Sequence, residues 1–139
     1  MKAKDALYAE AEAVYRKMFA ENIRISRAGG VTEPTQVILE TTASQARSNL
    51  MDIFKDLADG HLEARGDDPT IKVSRVPGVS KGGSTVTLLI CVDASRWAFY
   101  RSGELISKGR PAEDRVYFSR LEDGLKMTYV EGRWVDSCA

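Results

Sequence analysis

The spacing of apolar residues changes once along the chain, from a helical period before residue 60 to a strand period after residue 69. In the first part, apolar residues recur three and four positions apart, which is the spacing of one helix face. From Pro69 onward they alternate with polar residues, as in strands that bury one side. Helices first and antiparallel strands afterwards is the pattern of an α+β domain.

Three helices are predicted in the first part. The first runs from about Lys4 to Asn22, and its apolar stripe consists of Leu7, Ala11, Val14, Tyr15, Met18 and Phe19. The second begins near Thr32, a residue type that can cap a helix N-terminus. The third follows Thr42 and Gln45, which match a capping box, and ends at Gly60.

The second part predicts a meander of antiparallel strands. Ile71 and Val73 belong to one strand, the LLICV run to the next, and residues 76–83 form the loop between them. Gly103 in RSGE suits the positive φ of a short hairpin. Residues 122–124 form a further turn, and residues 131–132 the last one.

Length and pattern together indicate one domain over residues 1–139, with a helical half at about 4–60 and an antiparallel sheet at about 69–138. Three helices cannot cover both faces of a sheet of five or six strands, so we expect them on one face. If the sheet bends strongly around the first helix, the two form a cone with an apolar mouth, where a small ligand would bind.

Charge and hydropathy exclude two classes of partner. Twenty basic and twenty acidic residues give a net charge of zero, so no basic excess is present to bind nucleic acid. No apolar run approaches the ~20 residues of a membrane span. The start of the chain, MKAKDALYAEAE, has no apolar signal region. Either the protein is cytoplasmic, or an export segment has been removed ahead of Met1.

Cys91 and Cys138 are the two cysteines of the chain. A nucleophilic thiol needs a nearby base, and the sole histidine, His61, lies far along the chain. These three residues are also too few for a structural zinc site, and no metal or cofactor is expected. A disulfide requires only that the closing strand pass beside the strand of Cys91; the alternative is two unrelated thiols. We expect the disulfide, which favours an extracytoplasmic location over a cytoplasmic one.

Three stretches resemble proteins of the nuclear transport factor 2-like superfamily: YAEAEAVYRKMF, CVDAS before a short hairpin, and the closing GRWVDSC. More narrowly, they are similar to small actinobacterial envelope proteins and lipoproteins of that fold. The resemblance implies a cone-shaped domain and a pocket, but no particular reaction, because the superfamily includes isomerases, dehydratases, transport adaptors and binding domains. It also implies that a homodimer can form through the exposed face of the sheet.

The candidate pocket follows from this resemblance and from the apolar stripe. Its residues are Tyr8, Tyr15, Met18, Asp93, Trp97, Phe99 and Trp134. Isomerases of the superfamily use a carboxylate base and a phenol donor, so the resemblance implies Asp93 with Tyr8 or Tyr15 as an acid–base pair. Asp93 can instead open the turn DASR by bonding its own backbone, which we favour. Trp97 and Trp134 can stack on a ligand or fill the gap between a bent sheet and its helices, and we favour the packing role.

Charged residues of both signs surround the predicted hairpin. The basic ones are Arg96, Arg101, Lys108, Arg110 and Arg115. Glu104, Glu113 and Asp114 are interleaved with them. A mixture of signs predicts a solvated surface rather than a binding patch for an acidic partner.

Two functions from different classes fit these patterns. One is a non-enzymatic extracytoplasmic accessory domain that binds a small hydrophobic molecule or a partner protein through its cavity or sheet face. The alternative is a small isomerase- or dehydratase-like enzyme with Asp93 and a tyrosine of the first helix as acid–base groups. A carboxylate and a phenol converging on one cavity favour the enzyme. A closed cone filled by Trp97, Phe99 and Met18 favours the binding domain.

Overall fold

The computed structural model describes residues 2–139, and in this range three helices precede seven strands. The helices are α1 (Lys2–Arg27), α2 (Gln36–Thr41) and α3 (Ser44–Asp59). The strands are β1 (Glu63–Gly66), β2 (Thr70–Arg75), β3 (Val86–Asp93), β4 (Trp97–Arg101), β5 (Glu104–Lys108), β6 (Pro111–Leu121) and β7 (Gly124–Trp134). The α+β class predicted from the sequence is therefore confirmed.

The strands form two antiparallel sheets, whereas the sequence predicts one. The large sheet has the order β2-β3-β6-β7 and the small sheet the order β1-β4-β5. After Asp93 the chain turns through residues 94–96, leaves the large sheet, and pairs β4 with β1. β1 has the sequence EARG and buries only Ala64, so it carries no apolar pattern from which a strand could be predicted.

The stripe of α1 packs on the inner face of the large sheet. Tyr8, Ala11, Tyr15 and Met18 are buried there. They share one cluster with residues of β3, β6 and β7, namely Val86, Leu88, Ile90, Val116, Phe118, Leu125 and Met127. Burial of such side chains is the main favourable term in folding. The apolar stripe of α1 is therefore covered by one face of this sheet.

A second apolar cluster joins the helices to the small sheet. Its buried members are Ile25, Ile38, Met51, Phe54 and Leu57. Phe99 of β4 packs against this cluster from the small sheet. α1 is longer than the predicted range of 4–22 because its last turns carry Ile25 into this second cluster.

The predicted start of the second helix is wrong by a few residues. The N-cap of α2 is Thr35 rather than Thr32, and its hydroxyl accepts a hydrogen bond from the Ile38 N–H at 3.3 Å. Thr35 also donates to Glu21 of α1 at 2.6 Å. This contact with α1 fixes where α2 begins, and it is invisible in the local sequence.

The predicted capping box at the third helix is also wrong. Ala43 is the N-cap of α3, without a side-chain cap bond. The Thr42 hydroxyl donates to Ile38 at 2.6 Å, and the Gln45 amide exchanges two hydrogen bonds with the backbone of Val130 on β7. Both side chains thus bind other elements in place of the helix end. Gly60 is the C-cap of α3, as predicted.

Most predicted turns are present in the second half. The loop at 76–83 joins β2 to β3, and Gly103, with φ +83°, lies in the hairpin between β4 and β5. The turn predicted at residues 122–124 is present: residues 122–123 link β6 to β7, which begins at Gly124. The predicted turn at residues 131–132 is wrong, because β7 continues to Trp134. Gly132 remains in the ladder opposite Asp114.

Gly30 sits at the contact between α1 and α3, and its replacement tests that contact. Its φ is +90°, and a Cβ there would contact the Phe54 carbonyl oxygen and lie 2.8 Å from the Ala58 nitrogen. We expect Gly30→Ala to lower the free energy of unfolding by about 2–4 kcal/mol. Gly78 has φ +74° and nothing within 4 Å, so Gly78→Ala should cost only about 1 kcal/mol. Denaturant unfolding measures both, and equal losses would contradict the packing described.

Candidate functional site

A cavity of about 390 Å³ lies between α1, α3 and the two sheets. α1 contributes Tyr15, Met18 and Phe19 to its wall, and α3 contributes Ala46, Leu50 and Ile53. The large sheet contributes Val92, Ala112, Val116, Met127 and Val130. The volume falls in the range of sites that hold small molecules, and such sites are mostly apolar.

The cavity exists because small residues occupy several facing positions. Ala46 of α3, Ala112 of β6 and Gly132 of β7 all line it. In the well-packed core nearer the start of α1, the large sheet presents Phe118 and Leu88 instead. The sequence therefore leaves space at one end of the interface between helix and sheet and fills it at the other.

The structure brings five of the seven candidate pocket residues together on this cavity. They are Tyr15, Met18, Trp97, Phe99 and Trp134. Tyr8 is not among the lining residues; it is buried in the core, with the Arg75 guanidinium 4.7 Å from its ring centroid. The cavity is open rather than filled by Trp97, Phe99 and Met18.

Asp93 is also absent from the lining of the cavity. It ends β3, and its Oδ1 accepts a hydrogen bond from the Ser95 N–H at 3.0 Å. Hydrogen bonds from Ser95 hold the pKa of Asp93 below its usual range. Asp93 thus opens a turn, and the structure does not bring it together with Tyr8 or Tyr15.

Asp114 is the carboxylate that lines the cavity, although the sequence predicts it on a solvated surface. It lies on β6 between Ile90 of β3 and Gly132 of β7, in the register of the inner face. Its side chain accepts no hydrogen bond from a residue that the structure describes, and burial raises its pKa to about 6. Side chains two positions apart on a strand lie on the same face, so the inward-facing Val116 could have indicated that Asp114 also faces inward.

The Tyr15 hydroxyl faces the same cavity. Tyr15 is 3% exposed and makes no hydrogen bond through its hydroxyl within the described chain. Every fully enclosed side-chain nitrogen or oxygen of residues 3–139 has a partner, so this unpartnered hydroxyl is not fully enclosed, and the cavity that Tyr15 lines is the space next to it. Burial, and then the negative charge of Asp114, raise the pKa of Tyr15 above its usual range. The phenol stays protonated and can donate a hydrogen bond.

Two tryptophans flank the cavity in different environments. Trp97 is buried, with the Arg27 guanidinium 4.8 Å from its ring centroid and Phe99 edge-on at 6.3 Å. Trp134 is 62% exposed, and the Arg110 guanidinium lies 4.7 Å from its ring centroid. Trp134 and Arg110 therefore form the solvent-facing mouth.

A second groove, of about 340 Å³, lies on the outer face of the large sheet. Both of its carboxylates are paired: Glu113 with Arg133 of the same groove at 2.7 Å, and Glu131 with Lys81, which lies outside the lining, at 3.0 Å. Exposed pairs of this kind contribute little and are screened by salt. The outer groove is an ordinary solvated surface, and the apolar cavity is the better candidate site.

Cys91 and Cys138 form a disulfide, with Cα atoms 5.7 Å apart. The pairing is as predicted, but the closing strand β7 does not pass beside β3, because β6 lies between them, and Cys138 lies beyond the end of β7. After Trp134 the chain crosses the start of β6, where the Val135 N–H donates to the Pro111 carbonyl at 3.2 Å. The bridge therefore anchors the segment that follows the mouth residue Trp134.

Two features are absent from residues 2–139. No three acidic, histidine or cysteine side chains lie close enough together to hold a metal ion. None of the helices in this range combines the length and apolar character needed to cross a membrane.

Comparison with known proteins gives a fold and no family. No family model matches the sequence, and no curated protein matches it. Among solved structures, the fold is similar to that in the crystal structure of the intermembrane space region of the chloroplast protein ARC6, with a TM-score of 0.53 and 19% identity. The match covers 91% of this chain and 95% of that one. At this identity the likeness concerns the fold alone.

The disulfide closes a loop between residues 47 positions apart. In the chain-entropy account such a loop stabilises the folded state by about 4 kcal/mol. We expect Cys91→Ser combined with Cys138→Ser to lower the free energy of unfolding by up to that amount in urea titrations. Mass spectrometry of unreduced peptides provides the direct check: two free thiols in protein made under oxidising conditions would contradict the bridge.

Asp114 should make stability depend on pH. Folding raises its pKa from an ordinary 3.8 to about 6, so the folded protein binds this proton more tightly than the unfolded chain does. The resulting stabilisation of the folded state is fully present below pH 3.8 and is lost as the pH rises through about 6. Asp114→Asn removes this loss. The difference in the free energy of unfolding, Asp114→Asn minus wild type, should therefore increase by about 2 kcal/mol between about pH 4 and about pH 7.5. Denaturant unfolding at both pH values measures it.

The matched control for that experiment is Asp52→Asn, at an exposed position of α3. It removes the same charge outside the cavity, so its difference from the wild type should stay nearly constant over this pH range. A parallel change in both variants would mean that Asp114 has no special environment.

Proposed function

We propose that this protein is a binding domain that holds a small hydrophobic molecule in the cavity between α1, α3 and the two sheets. The cavity carries the proposal: about 390 Å³ of space with largely aromatic and aliphatic walls. A ligand that removes such walls from water gains about 25 cal/mol for each Å² of apolar surface. The open mouth at Trp134 supplies an entry route for it.

The finer description of fold and location belongs to the same proposal. Helices on the inner side of an antiparallel sheet, with a cavity between them, support a cone-shaped domain of the nuclear transport factor 2-like kind. The disulfide supports an extracytoplasmic location, since such bonds persist in oxidising compartments; the alternative is the cytoplasm. A partner protein or a second copy on the outer sheet face remains a prediction.

Proton transfer in the cavity is a second candidate function. The observation that favours it is that a carboxylate and a phenol, Asp114 and Tyr15, line one cavity, each without a partner in the described chain. Above its pKa of about 6, Asp114 can accept a proton. Tyr15 can donate a hydrogen bond to negative charge that develops on a substrate oxygen. This pair would take the place of Asp93 with a tyrosine.

Binding can be followed by tryptophan fluorescence, because Trp97 and Trp134 are the two tryptophans of the chain and both line the cavity. We expect the uncharged dye Nile red to change this fluorescence on titration. Ala112→Leu places a larger side chain in the cavity and should weaken dye binding about tenfold. Ala9→Leu makes the same change at an exposed position of α1 and should leave binding unchanged.

Failure of the dye to bind, or equal binding by the wild type and Ala112→Leu, would contradict the proposed function. Circular dichroism and cooperative thermal unfolding of both variants confirm that each is folded. A further substitution separates the second candidate from the first: Asp114→Asn should abolish any turnover but leave the binding of Nile red intact.

A further inference from the structure

We propose that the cavity selects apolar amines, with the cationic head against Asp114 and the apolar body among the aromatic and aliphatic walls. This inference rests on the proposed binding function and names the chemical class of the ligand. It starts from a carboxylate that the fold holds in an apolar wall without a partner.

The position of Asp114 is built into the large sheet. Val73, Ile90, Asp114 and Gly132 form one row across the four strands. A Cβ on Gly132 would lie 2.5 Å from the Asp114 Oδ1, so the carboxylate lies in the space that this glycine leaves free. Its other neighbour in the row, Ile90, is fully buried and apolar. The row therefore offers the carboxylate no donor.

An ionised carboxylate in such surroundings is costly unless a cation or a donor reaches it. Asp114 is the one acidic side chain among the described residues that line the cavity. Burial raises its pKa to about 6, so it is mostly ionised at neutral pH. A ligand that supplies a positive charge would relieve the cost, and the gain in affinity would come from that pairing.

The other titratable groups around the cavity do not supply this charge. Tyr15 faces it from α1 and stays neutral. Arg110 precedes β6 at the mouth, where it is exposed and stacks on Trp134. Burial raises the pKa of Asp114, and no cation among the described residues lowers it. The cavity-lining residues of α3, β4 and β7 carry no charge.

The remaining features of the wall suit an ammonium group better than an alcohol or an acid. The Tyr15 hydroxyl can accept a second N–H while Asp114 accepts the first. The rings of Trp97 and Trp134, each already contacted by an arginine, line the cavity for the apolar body of the ligand. A ligand carboxylate would instead meet the negative charge of Asp114 within a partly dehydrated space, where like charges repel strongly.

Three probes of equal chain length test the proposal: octylamine, octanol and octanoate. Isothermal titration calorimetry at about pH 7.5 should show octylamine binding about tenfold more tightly than octanol, and octanoate most weakly. In Asp114→Asn the affinity for octylamine should fall about tenfold, to that of octanol, while octanol binding stays unchanged. Asp52→Asn, which removes the same charge outside the cavity, should behave as the wild type.

A measurement on the wild type alone keeps the test independent of any folding defect in the variant. At about pH 5 Asp114 is mostly protonated, whereas octylamine remains cationic. The preference for octylamine over octanol should therefore largely disappear between about pH 7.5 and about pH 5. A preference that persists at the lower pH, or that survives Asp114→Asn, would overturn the assignment of the amine head to Asp114.

The outcomes separate this inference from the proposed function. If octanol and Nile red bind but octylamine binds no more tightly than octanol, selection of amines is wrong and the binding cavity stands. Tighter binding of octanoate than of octylamine would also overturn the inference, and would point to Arg110 as the polar anchor. If neither Nile red nor any of the three probes binds, the proposed function and the inference both fail.

Discussion

The contact between the apolar stripe of α1 and the inner face of the large sheet determines where the other elements lie. Tyr8 and Ala11 fill the core at one end of this contact. Tyr15 and Met18, further along the same stripe, are buried and also line the cavity. Because Gly132 and other small residues face this second half, the interface that stabilises the fold also leaves the space that a ligand can fill.

Features encoded by short-range pattern could be predicted from the sequence, and features set by contacts between distant elements could not. The period of the apolar stripe predicted α1, and the glycine of RSGE predicted the hairpin between β4 and β5. The division into two sheets depends on the pairing of β1 with β4, in which Gly66 lies opposite Trp97. These two residues are separated in the sequence by β2 and β3, so no local pattern predicts their contact. Gln45, likewise, binds β7 rather than its own helix.

The same distinction explains the candidate site. Tyr15 and Met18 could be predicted because an apolar face has a period, and the tryptophans because they are large. Asp114 escaped prediction because it lies between Glu113 and Arg115, so that consecutive charged residues conceal the alternation of the strand. Its environment becomes visible only when β6 is placed in register with its neighbouring strands, beside Gly132.

The disulfide also changes how the domain would respond to mechanical force. Cys138 lies beyond the end of β7, so tension applied from the C-terminal side of the chain passes through the bridge directly to β3 in the interior of the large sheet. The chain between the two cysteines, from the end of β3 through β7, lies outside that load path. With the bridge closed, stretching cannot release these 47 residue steps, each worth about 3.3–3.6 Å of extension. Reduction would return that length to the chain and allow the same tension to pull β7 from the sheet, starting at Trp134.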